Sequence, residues 1–203
     1  WRAPSVLVGA FAYWKGLGAV LQGGRLATAG ALRDWLADVL THGSGRNDCI
    51  LLRAAYASTS HDEVEQLNLT ALAVSASSER VLETTLQGRA FSQTTAAIWG
   101  GDDVNACYPI AVGIAAARRK LDVEITAALY LHAFASNLVS AAVRAIPLGQ
   151  TDGQRVLSAL LPLCEEIAQT TRERDLDDLS STAFLSDIAA MRHETLQPRI
   201  FRS

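Results

Sequence analysis

Residues 125–143 contain no Asp, Glu, Lys or Arg, and this run constrains the fold more than any other feature of the chain. It approaches the roughly 20 apolar residues that cross a bilayer as a helix. It is, however, dominated by Ala and interrupted by Thr126, His132, Ser136, Asn137 and Ser140. Such polar groups are costly in hydrocarbon. The same pattern suits a helix surrounded by other helices, with no solvent face to fill with charge. The reading is the central helix of a bundle, opened by Asp122 and stopped by Ile146-Pro147-Leu148-Gly149, with no membrane span.

A bundle needs partner helices, and the rest of the chain has their periodicity. Leu32, Trp35, Leu36, Val39 and Leu40 recur at helical spacing, and Gly43-Ser44-Gly45 ends that stretch. A second helix is predicted from Asp48 to Ala57. Ser60 and Glu63 have the spacing of a capping box, leading into Val64, Leu67 and Ala71. Ser78 begins a helix through Val81, Leu82, Leu86 and Ala90, and Trp99-Gly100-Gly101 breaks it. Pro109 is placed to open the next helix. Thr151 and Gln154 read as a second capping box, followed by Leu157, Leu160, Leu161 and Cys164, with Pro162 expected to kink or restart the helix. A last helix carries Phe184, Leu185, Ile188 and Met191. No linker or repeat divides the 203 residues, which suit about one domain. The expectation is one all-α bundle over 1–203 with eight to ten helices. Residues 1–18 form an apolar N-terminal arm and 193–203 a C-terminal tail.

Composition excludes several functions. A net charge of −3 lacks the footprint of a nucleic-acid binder. Three separated cysteines, Cys49, Cys107 and Cys164, make no disulfide framework and suggest a reducing compartment, the cytoplasm. No signal peptide is visible at the start. His42, His61, His132 and His193 do not pair with one another or with Cys at helical spacing, so no closed metal site is expected. Phosphate-loop and nucleophile-elbow motifs are absent. Cys49 beside Asp48 has no His close in sequence to activate it. No catalytic residue is assigned, and the expectation is not an enzyme. One alternative is a small-ligand protein or enzyme with a site inside the bundle around His132 and Asn137.

A few residues exceed what folding alone needs. Gly88 sits mid-helix at a cost of about 1 kcal/mol relative to Ala, which implies a close approach to its backbone, simplest as another helix of the same chain. Arg144 closes the charge-free helix where a cation suits the helix dipole. The tail places Ile200 and Phe201 between Arg199 and Arg202, and aromatic residues with Arg are enriched at interfaces.

At these residues the chain resembles the UreF family of urease accessory proteins. The end, with Asp187-Ile188-Ala189, Arg192-His193-Glu194 and Arg199-Ile200-Phe201-Arg202-Ser203, is similar to that family's C-terminal signature. Collinear matches are Pro147-Leu148-Gly149-Gln150 with Gly153-Gln154, Gln87-Gly88-Arg89, Tyr108-Pro109-Ile110-Ala111-Val112-Gly113, and Val8-Gly9-Ala10-Phe11-Ala12-Tyr13 before Gly16-Leu17. The chain departs from the family's usual residues at Leu7, Trp14, Gly18 and Cys107. The resemblance implies an all-α, often dimeric, cytoplasmic chaperone without enzymatic activity. It implies a bridge between a UreD/UreH-type accessory protein and the GTPase UreG, with nickel delivered to apo-urease. No cofactor would be bound tightly, and nickel would be handled in transit by the complex. The partner-binding residues it implies are Arg144, Gln150 and Gln154 toward the GTPase or a nickel passage. Arg192, His193, Glu194, Arg199, Ile200, Phe201, Arg202 and Ser203, together with the N-terminal arm, would face the UreD/UreH partner.

Overall fold

Short side-chain signals set where the helices begin. In the computed structural model, which describes residues 28–180, Thr28 caps α1 (Ala29–His42) by accepting from the Ala31 N–H at 3.2 Å. Gly43 separates it from α2 (Ser44–Ala57). Ser60 and Glu63 form the predicted capping box of α3 (His61–Ala73), satisfying two amides that have no partner within the helix. Ser77 caps α4 (Ser78–Trp99). Pro109 lies in the first turn of α5 (Tyr108–Arg118), where its missing N–H costs nothing. Asp122 accepts from Ile125 N–H at 2.9 Å to open α6 (Val123–Ala145). Then follow α7 (Gln150–Thr170) and a single 3-10 turn, Leu176–Asp178. The described residues contain no strand. They hold seven α-helices, against eight to ten expected for the whole chain. The predicted arm 1–18, the helix near 184–191 and the tail 193–203 lie outside the described residues.

Two expectations for α7 are corrected, its capping box and a restart at Pro162. The helix already starts at Gln150 after Gly149, which offers no side-chain cap, so Thr151 and Gln154 do not form its capping box. Asp152 instead supplies a negative charge to the first turn and pairs with Arg155 at 2.9 Å. Pro162 neither ends nor restarts the helix, which runs on to Thr170. Pro162 is exposed, as is Ser158 four residues back. The Ser158 carbonyl that loses its N–H partner therefore faces water.

The helices enclose two hydrophobic clusters. The larger joins Leu32, Leu36 and Leu40 of α1 to Leu131, Ala135 and Leu138 of α6 and Val156, Leu160 and Cys164 of α7. The smaller joins Leu51 and Ala55 of α2, Leu67 and Ala71 of α3, and Ile110 of α5. Helix α2 contributes Cys49 to the first and Leu51 to the second, and it buries eight of its 14 residues, against nine of 23 for α6. The most enclosed position thus belongs to α2 rather than to the charge-free helix. One side of α6 packs on α7, α1, α2 and α5, while Ile125 is 60% and Leu129 47% exposed on its other side. By length and composition α6 could cross a membrane, and half of its most apolar stretch is buried within the fold.

Glycine permits the tightest of these contacts. A Cβ on Gly113 of α5 would lie 2.3 Å from the Leu52 carbonyl oxygen of α2. One on Gly88 of α4 would lie 1.9 Å from the carbonyl oxygen of Ala106. The close approach predicted at Gly88 is therefore real, and the approaching element is the extended segment that leads into α5.

Candidate functional site

The sequence-derived site residues within the described structure gather at one end of the bundle. Arg144 is the penultimate residue of α6 and Gln150 begins α7, and the four residues 146–149 turn the chain back. All of Arg144, Gln150 and Gln154 are exposed. Arg144 Nε donates to the Ser140 carbonyl at 3.1 Å, which holds the guanidinium against the last turn of its helix, where the dipole favours it. Gln150 and Gln154 stand one turn apart on the outer side of α7. This corner presents a cation and two amides to solvent and buries none of them. Arg192, His193, Glu194, Arg199, Ile200, Phe201, Arg202 and Ser203 lie outside the described residues.

The alternative site around His132 and Asn137 loses its setting. His132 is half-buried and Asn137 is exposed, whereas the inward residues of α6 are Ala127, Leu131, Ala135 and Leu138. The two polar groups follow the outer side of the helix and do not line its interior.

The polar cluster that does lie inside is one the periodicity failed to reveal. Helix α4 buries Glu83, Thr84, Gln87, Gly88, Ser92 and Thr95 and exposes Leu82 at 59% and Leu86 at 55%. Leu82 and Leu86, two of the apolar residues that mark this helix in the sequence, face solvent. The cause is Asp48 on α2, only 5% exposed, which pairs with Arg80 at 2.6 Å. Tyr130 of α6 donates to the same carboxylate at 2.7 Å. Arg80 also approaches Glu83 at 3.8 Å, and Gln87 Nε2 donates to Glu83 Oε1 at 3.1 Å. A buried carboxylate requires such partners, so α4 turns its polar side inward. The same side satisfies the entry to α5: Ser92 Oγ accepts from Val104 N–H at 2.6 Å and Thr84 Oγ1 from Tyr108 N–H at 3.2 Å. Burial, reinforced by the Asp48 charge, pushes the Tyr130 hydroxyl well above its ordinary range and raises that of Tyr108. Neither serves as a base near neutral pH. The legible signal was the interleaving of Glu83 and Gln87 with Leu82 and Leu86.

A second polar clamp ties α2 to α6 and α7. Arg53 Nη1 and Nη2 donate to the two oxygens of Glu124, each at 2.8 Å, and Arg53 also donates to the Ala168 carbonyl. Arg172 Nε adds a bond to Glu124 at 3.1 Å. This fork geometry holds the Glu124 carboxyl at about 2, chiefly through Arg53.

No group at these positions is set up as a nucleophile. Burial pushes the Cys49 thiol up to about 12 and Cys164 to about 11, and it raises Cys107 as well. Thiols need the opposite shift to attack or to bind a metal. Among the described residues no group of three or more His, Cys, Asp or Glu is placed to hold a metal ion.

Comparison with known proteins bears on what the chain does. The sequence profile of the UreF family matches residues 26–161. The chain is 49% identical to the urease accessory protein UreF of Ruegeria pomeroyi, over all of this chain and 94% of that protein. It is 47% identical to the protein of the same name from Roseobacter denitrificans, over all of this chain and 91% of that protein. The counterpart in Cereibacter sphaeroides strain KD131 is 50% identical, over all of this chain and 95% of its own length. With the profile spanning most of the described helices and the relatives matching from end to end, the chain belongs to the UreF family.

Proposed function

We propose that the chain is a urease accessory protein that acts as a scaffold in urease maturation. It bridges a UreD/UreH-type protein and the GTPase UreG during nickel insertion into apo-urease, and it works in the cytoplasm as a homodimer without catalysing a reaction itself. The observation that carries this reading is end-to-end identity near one half with relatives named urease accessory protein UreF. The corner formed by Arg144, Gln150 and Gln154 supports it, because exposed amides and a guanidinium suit a polar, exchangeable contact. In this scheme Arg144 and the two glutamines face the GTPase or the path taken by nickel. The tail, with Arg192, His193, Glu194 and 199–203, docks on the UreD/UreH-type partner. Nickel is cargo of the assembly and is not held by this chain.

Replacing the counterpart gene in a urease-producing strain tests the reading. Restored urease activity is expected, and no activity with normal protein levels would overturn it. Deleting residues 199–203 is expected to abolish co-purification with the UreD/UreH-type partner. Arg144→Ala is expected to lower urease activation while costing the fold only about 0.3–1 kcal/mol. Full activation by Arg144→Ala would remove that residue from the coupling to the GTPase.

A further inference from the structure

We propose that the groove between the end of α2, the start of α3 and the 3-10 turn binds a basic segment of another protein, one that carries an apolar side chain between cations. The groove has a volume of about 470 Å³, and its floor and walls include Ala54, Ala57, Leu67 and Leu176. Leu67 is a buried member of the smaller core cluster and Ala54 packs against it. Leu176 is 36% exposed on the opposite wall. Asp62 and Glu63 line the same groove, and Asp175 and Asp177 flank Leu176 in the chain. Asp62 and Asp177 form no ion pair with a cation of the described residues. An apolar floor thus lies beside a rim that carries the Asp62 and Glu63 carboxylates.

The charge selects the occupant. Carboxylates repel phosphate, which counts against nucleic acid and anionic lipid. A second copy meeting the groove across a two-fold axis would set the same carboxylates against each other. Small-molecule sites bury most of their ligand, whereas this groove opens to solvent along its length. A protein segment can cover the floor with one large apolar side chain and place Lys or Arg against Asp62 and Glu63, which matches both features. The groove shares no residue with the α6–α7 corner or the tail, so the proposal stands or falls separately from the bridging role.

The test uses the full-length chain and fluorescein-labelled dodecapeptides, read by fluorescence anisotropy. One peptide places Leu and Phe between lysines, a second places them between glutamates, and a third keeps the lysines but has Ser for Leu and Phe. The first is expected to bind saturably, about tenfold or more tightly than the others, and to weaken as salt rises from about 50 to about 500 mM. Asp62→Lys is expected to weaken it at least about tenfold. Ala57→Trp, which fills the groove from the exposed end of α2, is expected to abolish binding. Circular dichroism of each variant checks that it is folded, and either folded variant suffices for the test. Absence of binding by the first peptide, equal binding of all three, or wild-type affinity in a folded variant overturns the proposal.

Discussion

Replacing Gly88 by Ala sets two effects of opposite sign against each other. Helix propensity favours Ala in mid-helix by about 1 kcal/mol. In this fold the new Cβ would lie 1.9 Å from the Ala106 carbonyl oxygen and 2.8 Å from both the Cys107 carbonyl carbon and the Tyr108 nitrogen. These are backbone atoms, which cannot rotate away as a side chain does. Reaching even 3.0 Å requires α4 and the 106–108 segment to separate by about 1.1 Å. That movement stretches the bond from Tyr108 N–H to Thr84 Oγ1, now 3.2 Å, and disturbs the edge-on contact of Phe91 with Tyr108 at 5.6 Å. Overpacking costs about 1–3 kcal/mol, and a buried amide left without its acceptor adds about 1–3 kcal/mol. After the propensity gain, the expected net loss is about 3 kcal/mol. Urea unfolding followed by circular dichroism reads this directly. With a slope of about 2–3 kcal/mol/M, the midpoint falls by about 1 M or more. Gly30→Ala on α1 is the control, because its Cβ meets nothing nearer than Thr28 Oγ1 at 4.0 Å. It is expected to hold or raise the midpoint by up to about 1 kcal/mol in stability. An unchanged or raised midpoint for Gly88→Ala would refute the argument that backbone contact outweighs propensity here.

Three further outcomes are expected. Glu124 is held at about 2, against an ordinary 4.5. A carboxyl lowered in the folded state contributes fully above about 4.5 and loses its contribution as pH falls through 2. The stability difference between the native chain and Glu124→Gln should therefore be largest above pH 4.5 and narrow toward pH 2, and a difference independent of pH would count against the Arg53 clamp. Lys120 adopts a left-handed φ of 54°, and the N–H groups of Lys120 and Leu121 bond to the carbonyls of Ala117 and Ala116, each at 3.0 Å. Glycine suits that helix stop better, so Lys120→Gly should gain about 0.5–1 kcal/mol, read as a rise of about 1–4 °C in Tm; a lower Tm would contradict it. Cys49, Cys107 and Cys164 are buried with raised thiol values. A thiol reagent at pH 8 should label them only after unfolding, and rapid labelling of the native chain would show otherwise.

Local chemistry was legible wherever one side chain acts on its own helix. Ser60 with Glu63, Asp122, and Pro109 each mark the helix start that the structure shows. The stripe Leu32, Leu36, Leu40 marked its buried face correctly. Legibility failed where the deciding partner is distant in the chain. Leu82 and Leu86 mark a helix but not which side of it is buried, because Asp48 requires Arg80 from 32 residues away and Tyr130 from 82 residues away. Pro162 is tolerated because its side of α7 meets solvent, which no local rule reveals. For the candidate site, Arg144, Gln150 and Gln154 were recognisable as motif residues, while their shared place at one end of the bundle follows from the α6–α7 turn.

By itself, the sequence determined the helical class, most helix starts and the family, since each rests on residues within a turn or on collinear motifs. Tertiary structure decided which helix is most enclosed, which way α4 faces, and where an apolar groove meets a carboxylate rim. These outcomes depend on satisfying buried charge and close backbone contact, and only folding brings the distant segments together that can do so.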